Sequence, residues 1–225
     1  SPGVKCRVAL CFPDTYEVGM SHLGLKILYS LLNDRPDVAC ERAFAPWHDM
    51  EKMIRENGLP LFSLETRSPL KEFDIVGFSL QYELSYTNVL NMLDLSGIPL
   101  FGRDRGESDP LIIGGGPCAF NPEPVADFFD CFLIGEGEEA VPEIVDATIA
   151  GKATGLTRRQ LLERLASIEG IYVPAMPAKV KKRVVADLDS AYFPVKPVVP
   201  FIETVHDRIQ VEIMRGCRRA CNFCQ

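Results

Sequence analysis

No apolar run in this chain is long enough to cross a bilayer. The longest, LIIGGG at 111–116 and CFLIG at 131–135, fall far short of the ~20 residues a spanning helix needs, so no membrane partner is expected. Ser1 is followed by no basic-then-apolar leader, and the start reads as a processing edge. Positive charge is not in excess. The 24 Lys and Arg oppose 31 Asp and Glu, a net charge of −7, which argues against a nucleic-acid-binding surface. The glycine-rich stretches do not match the dinucleotide fingerprint, which weakens a nicotinamide-cofactor site. Internal repeats and low-complexity segments are also missing.

What is present is ordinary in bulk: 47% apolar and 24% charged residues, as in soluble globular proteins. A length of 225 residues allows one large buried core, or one domain and part of another. Eight cysteines divide into two kinds. Cys6, Cys11, Cys40, Cys118 and Cys131 are scattered, several in apolar runs, and read as small buried hydrophobes. A disulfide framework is not expected, and a reducing cytoplasm fits the pattern. Cys217, Cys221 and Cys224 form a tight cluster.

The first part reads as a doubly wound, Rossmann-like α/β sheet. VALCF at 8–12, 40–45, IVGFSL at 75–80, 111–116 and 131–137 read as buried strands. Leu23, Ile27, Leu28, Leu31 and Leu32 recur at helical spacing, with Ser21 the expected N-cap. A second helix is expected over 49–57, stopped by Gly58. A third runs from a Ser85 cap through Leu95, and a fourth over 138–151 ends at Gly151. Strands alternating with such helices imply a parallel sheet. Ligands then bind beyond the carboxyl ends of the strands. That places a site among the loops 13–24, 79–85, 114–121 and 135–139, whose glycines let backbone approach a ligand closely. Tyr16, Glu17, Gln81, Tyr82 and Glu83 cluster at the expected mouth. The bland alternative is that these glycines are only tight turns. His48, beside Trp47, reads as packing.

After 151 the organisation changes. Thr157 and Gln160 form a capping box for one helix. IYVP at 171–174 reads as a strand that could pair with KVKKRVVADL, within a proline-rich crossing segment. IQVEIMRGC alternates apolar and polar residues and reads as a strand leading into the cysteine loop. The expected organisation is thus an α/β domain over 1–150, a linker over 151–204 and the start of a second domain over 205–225.

The cysteine spacing is Cys-x3-Cys-x2-Cys. Three thiolates within eight residues can wrap one face of a metal centre, and thiolates select zinc, copper(I) or iron–sulfur clusters. Structural zinc wants four ligands, and the nearest histidine, His206, stands eleven residues before Cys217. Three ligands to a four-iron cluster leave one iron open. From spacing alone both metals stand.

Arg215-Gly216-Cys217 at a strand end, the spacing that follows, and Phe223 before the last cysteine closely resemble the cluster loop of radical S-adenosylmethionine (SAM) enzymes. The resemblance implies that Cys217, Cys221 and Cys224 hold a 4Fe-4S cluster. Its open iron would chelate SAM, which one electron cleaves to a 5′-deoxyadenosyl radical; Phe223 would pack on the SAM side. The electron would come from a donor such as flavodoxin or ferredoxin. PDTYEVGMSHLGLKIL, VGFSL, IIGGGPCAFNPEP and DCFLIGEGEEAVPEIV resemble the cobalamin-binding-like domain fused to many of these enzymes, over most of 5–150. The nearest likeness is to an uncharacterised subfamily of B12-binding-domain radical SAM proteins. The positions implied for a cobalamin-like site are Ser79, Gly114, Gly115, Gly135, Glu136 and Gly137. The Asp-x-His-x-x-Gly motif that supplies a lower cobalt ligand is absent: Tyr16 stands where its histidine would. His22 is then expected to be a helix-start residue with a structural hydrogen bond. The resemblance also implies that a catalytic barrel continues beyond Gln225, and that this fragment alone is inactive. Two other readings fit the residues: a non-catalytic cobalamin- or nucleotide-binding module, and a zinc-stabilised interaction protein.

Overall fold

The fold begins with Cys6–Phe12 (β1), the second strand from one edge of a six-stranded sheet. The computed structural model describes residues 3–206, 208–217, 219, 221 and 222; Phe223 and Cys224 fall outside them. Val38–Phe44 (β2) pairs with β1 along its whole length, from Cys6 opposite Val38 to Phe12 opposite Phe44. Ile75–Ser79 (β3) pairs with the other side of β1. Leu111–Gly115 (β4) and Cys131–Leu133 (β5) extend the sheet in the same sense. These five strands are parallel, and Ile171–Tyr172 (β6) closes the edge antiparallel to β5. Because β2 and β3 leave β1 on opposite sides, the crossover direction reverses there, and a crevice opens beyond the strand ends.

Helices cover both faces. Leu23–Asn33 (after the single turn Tyr16–Gly19, hence α2 after α1) and Gly137–Thr154 pack together on one face. His48–Glu56 (α3) and Tyr86–Leu95 (α4) send Ile54, Val89, Met92 and Leu93 into the core of the other. Pleating divides β1 between them: Val8, Leu10 and Phe12 join the first core, and Ala9 and Cys11 the second. With both faces covered, the strands are mostly apolar rather than alternating, Arg7 in β1 and Glu41 and Arg42 in β2 being the charged exceptions. The five scattered cysteines are buried, free thiols. Burial pushes Cys6 up to about 12 and raises Cys11, Cys40, Cys118 and Cys131 as well.

The helix Gly137–Thr154 (α5) runs past Gly151, which corrects the expected stop. It ends at Gly155, a left-handed cap at φ +68. Gly151 is instead buried, and a Cβ there would stand 3.2 Å from Leu161 of Arg158–Leu165 (α6). The Thr157–Gln160 capping box is formed. Leu165, Ile171 and Val173 share the first core with β1, so the packed unit takes in α6 and β6.

Two strand expectations beyond α6 need correcting. KVKKRVVADL does not pair with IYVP. Its Arg183 makes a single parallel bridge to Gly135 instead, on the turn after β5. IQVEIMRGC forms no strand among the described residues. Ile209, Val211 and Ile213 stand 92%, 69% and 85% exposed: alternation supplies two faces, but a strand also needs a partner backbone.

Candidate functional site: a pocket under the glycine loops

A cavity of about 210 Å³ lies between the sheet face and the helices α2 and α5, and the loops at the carboxyl ends of β3, β4 and β5 rim it. Its floor is the sheet (Val8, Leu10, Gly77, Ile113), its walls are α2 and α5 (Leu25, Leu28, Val141, Ile144), and Gly114–Gly116, Gly135 and Gly137 rim it. The lining is mostly apolar, with polar groups confined to the mouth. An apolar cleft with a few convergent polar groups is the usual form of a small-molecule site.

The mouth holds one polar network. Gln81 Nε2 donates to Ser79 Oγ at 2.8 Å, and the Gln81 side chain also bonds His22. His22, not Ser21, is the N-cap of α2: its Nδ1 accepts the Leu25 N–H at 3.1 Å. Ser21 turns its hydroxyl back to the Glu17 carbonyl instead. Ser85 likewise starts α4 without a side-chain cap, donating to the Tyr82 carbonyl. With Nδ1 accepting, the ring proton of neutral His22 sits on Nε2. The ring lies over Gly24, where a Cβ would stand 2.9 Å from Cε1.

Burial lowers the His22 pKa below its ordinary 6.5; Gln81 opposes this and Lys26 adds to it. The unfolded chain therefore takes up this proton at higher pH than the folded one. The stability contributed by neutral His22 is complete above about 6.5 and is lost as pH falls from there through the lowered folded value. His22→Asn keeps a capping residue without a titrating ring. Its melting temperature should fall less than the parent's between about pH 7 and about pH 5, and equal falls in the two proteins would rule this out.

The structure brings Ser79, Gly114, Gly115, Gly135 and Gly137 to one cavity, but their local roles differ. Gly115 faces open space, whereas a Cβ on Gly114 would strike the Phe132 ring at 2.7 Å. Gly114 thus serves core packing. Gly116, at φ +100, turns tightly over the Leu80 backbone. Gly135 is closed over by the chain itself, with the Arg183 backbone where a Cβ would stand. Glu136 accepts the Val185 N–H at 2.5 Å and faces Arg215 at 3.4 Å. Tyr16 and Glu17 lie away from this pocket: the Tyr16 ring meets Phe44 edge-on and its hydroxyl accepts the Phe201 N–H. Tyr82 donates to Asp14 at 2.5 Å.

One residue and two pairings escaped the sequence reading. Gly77 opens the floor of the pocket, and an isolated glycine within a strand pattern was the available signal. Arg183 bonds Glu139 and Glu143 on α5, and Arg215 meets Glu136 and Glu138. Nothing local marks either pairing.

Of the cysteine cluster, Cys217 and Cys221 are exposed free thiols. Cys217 Sγ accepts the Arg219 N–H at 3.4 Å. Among the described residues no three potential metal ligands are gathered, and no helix is long and apolar enough to cross a membrane.

Residues 24–174 match the family described as radical SAM proteins, N-terminal. The chain belongs to that family. An uncharacterised protein of Methanocaldococcus jannaschii is 25% identical over 97% of this chain. The chain spans only 40% of that relative's length. Among solved structures, the radical SAM methyltransferase TsrM from Kitasatospora setae, with tryptophan and a SAM analogue bound, is similar at a TM-score of 0.46 and 16% identity. The match covers 74% of this chain and 28% of that one.

Proposed function

We propose that this chain is the N-terminal portion of a radical SAM enzyme of cytoplasmic habit, carrying a cobalamin-binding-like α/β unit and the first loop of its cluster domain. Cys217, Cys221 and Cys224 would hold a 4Fe-4S cluster, which supplies one-electron reduction of bound SAM, fed by a flavodoxin- or ferredoxin-like donor. Phe223 would pack on the SAM side. The donor chemistry fits: two of the three thiols are exposed and unpaired on one short loop, and thiolates are the ligands such clusters take.

The α/β unit would hold cobalamin over the strand ends. A cavity of about 210 Å³ suits one flat, apolar group rather than a whole drug-sized ligand, so a benzimidazole-like tail would enter while the bulk stays above the rim. Ser79, Gly115 and Gly137 would line its entry. Among the described residues that line the pocket, no lower ligand to cobalt is at hand. Tyr16 packs away from the pocket, and His22 has its Nδ1 taken by the Leu25 N–H and its ring proton on Nε2.

The observation that carries this reading is the meeting of the two parts. Arg215, two residues before Cys217, pairs with Glu136 and Glu138 on the turn that rims the pocket. Anaerobic iron–sulfide reconstitution should give about four irons per chain with matching sulfide and a brown absorbance. Replacing Cys217, Cys221 or Cys224 by Ala should abolish both. One equivalent of zinc without sulfide would overturn the cluster assignment in favour of the zinc-stabilised reading.

A further inference from the structure

Arg215 sits among three carboxylates. Its Nη1 faces Glu136 Oε2 at 3.4 Å, and its Nη2 donates to Glu138 Oε1. Its Nε and Nη2 donate to the two oxygens of Glu212 at 2.9 and 2.8 Å. The guanidinium side chain is 19% exposed and that of Glu138 is 11% exposed, so water screens this pair far less than a surface one. Glu212 lies three residues away on the same segment and can only shape that segment. Glu138 lies 77 residues away, on the first turn of α5.

The rest of the segment has little else to hold it. At its near end, the Val205 and His206 amides donate to the Glu17 carbonyl and the Ser21 hydroxyl. Between those contacts and Arg215, the side chains of Ile209, Val211 and Ile213 are exposed and the backbone has no strand partner among the described residues. Gly216 then turns at φ +81, a conformation that favours glycine. The next residue is Cys217. The turn gripped by Arg215 is itself braced. Arg183 N–H donates to the Ile134 carbonyl, the Arg183 carbonyl accepts from Glu136 N–H, and Val185 N–H donates to the Glu136 carboxylate.

We propose that Arg215 is a positioning residue, a clamp that fixes the cysteine loop to the β5–α5 turn at the rim of the pocket. The role rests on the cluster reading above only for its consequence; the clamp itself belongs to the protein without metal. The same turn supplies Gly135 and Gly137 to the pocket. Anything seated in the pocket therefore presses on the element that the clamp grips, and loop position and pocket occupancy are linked.

The test is hydrogen exchange on the metal-free full chain, followed by iron–sulfide reconstitution of the same variants. Arg215→Gln and Glu138→Gln should each speed exchange of the amides in 209–217 by about tenfold, and the double variant should add little to the larger single effect. Arg215→Lys, which keeps the charge and loses the fork, should recover part of the protection. Glu139→Gln, on the adjacent residue that bonds Arg183 instead, should leave these amides unchanged. After reconstitution, Arg215→Gln should shift the electron paramagnetic resonance spectrum of the reduced cluster. Unchanged exchange in Arg215→Gln overturns the clamp whatever the iron content. An effect of Arg215→Gln with none from Glu138→Gln or from Glu136→Gln also overturns it, since the arginine would then act only on its own segment. A parent protein that binds no iron but shows the exchange pattern sinks the cluster reading and leaves the clamp standing.

Discussion

Replacing Asp130 by Ala should cost about 3–5 kcal/mol of stability, the largest effect expected of any single change outside the hydrophobic core. Asp130 precedes β5 and its side chain is 2% exposed. One oxygen, Oδ2, takes the Arg105 Nη1 at 3.1 Å, the Arg158 Nη2 at 2.7 Å and the Ile112 amide of β4 at 2.7 Å. Arg105 is fully buried and also donates to the Pro99, Leu100 and Phe128 carbonyls. Arg158 binds three further carbonyls, those of Gly106, Asp109 and Pro110. One carboxylate thus ties the loop before β4, the start of β5 and the start of α6. Removing it leaves two guanidinium groups without their counter-charge, one of them in the core. A loss of this size is a large part of the 5–15 kcal/mol that holds a domain together. Urea denaturation would measure it. Asp130→Asn keeps the volume and a carbonyl acceptor but not the charge, and should recover only a minor part. A midpoint shift equivalent to less than about 1 kcal/mol for Asp130→Ala would show that the two arginines are satisfied by carbonyls alone.

This ion group was invisible in the sequence, for a physical reason. Arg105, Asp130 and Arg158 are separated by 25 and 28 residues, and no local periodicity marks such pairings. The strands were legible because a sheet covered on both faces makes each strand a mostly apolar run. The glycine loops were legible because topology, not side-chain detail, decides where a parallel sheet opens. Ends were less so. Gly151 and Gly155 stand four residues apart, and local signals do not say which is buried against Leu161 and which is free to turn left-handed. The alternation in IQVEIMRGC was real, but period two reports the faces a segment could have and not whether a neighbour pairs with it. At the site, residues of the expected loops meet at one pocket, while what each glycine touches was not legible. Gly114 and Gly135 look alike in sequence. One leaves room for the Phe132 ring and the other for the Arg183 backbone.

That difference lets pocket filling be separated from unfolding, and Gly77→Val should separate them most clearly. Gly77 lies within β3, on the floor of the cavity. A Cβ built there meets only Leu10 Cδ2, at 3.7 Å, an ordinary contact. Valine suits a strand better than glycine does, so the fold should be unharmed and could gain. Its three side-chain carbons would project into a space of about 210 Å³. If a flat cobalamin tail must enter that space, it meets an overpacked floor costing about 2 kcal/mol, within the 1–3 kcal/mol typical of such insertions. Hydroxocobalamin should then bind roughly thirtyfold more weakly, read from its visible spectrum on titration. Gly114→Ala makes the opposite pair of changes. Its methyl would press on Phe132 and on Leu80, lowering the melting temperature through the core, and any loss of binding should follow the loss of folded protein. Gly115→Ala, with nothing within 4 Å, should leave stability unchanged. If Gly77→Val binds hydroxocobalamin as the parent does while the fold stays intact, the cavity under the glycine loops is not where the tail goes. If neither protein binds it, the α/β unit is not a cobalamin site.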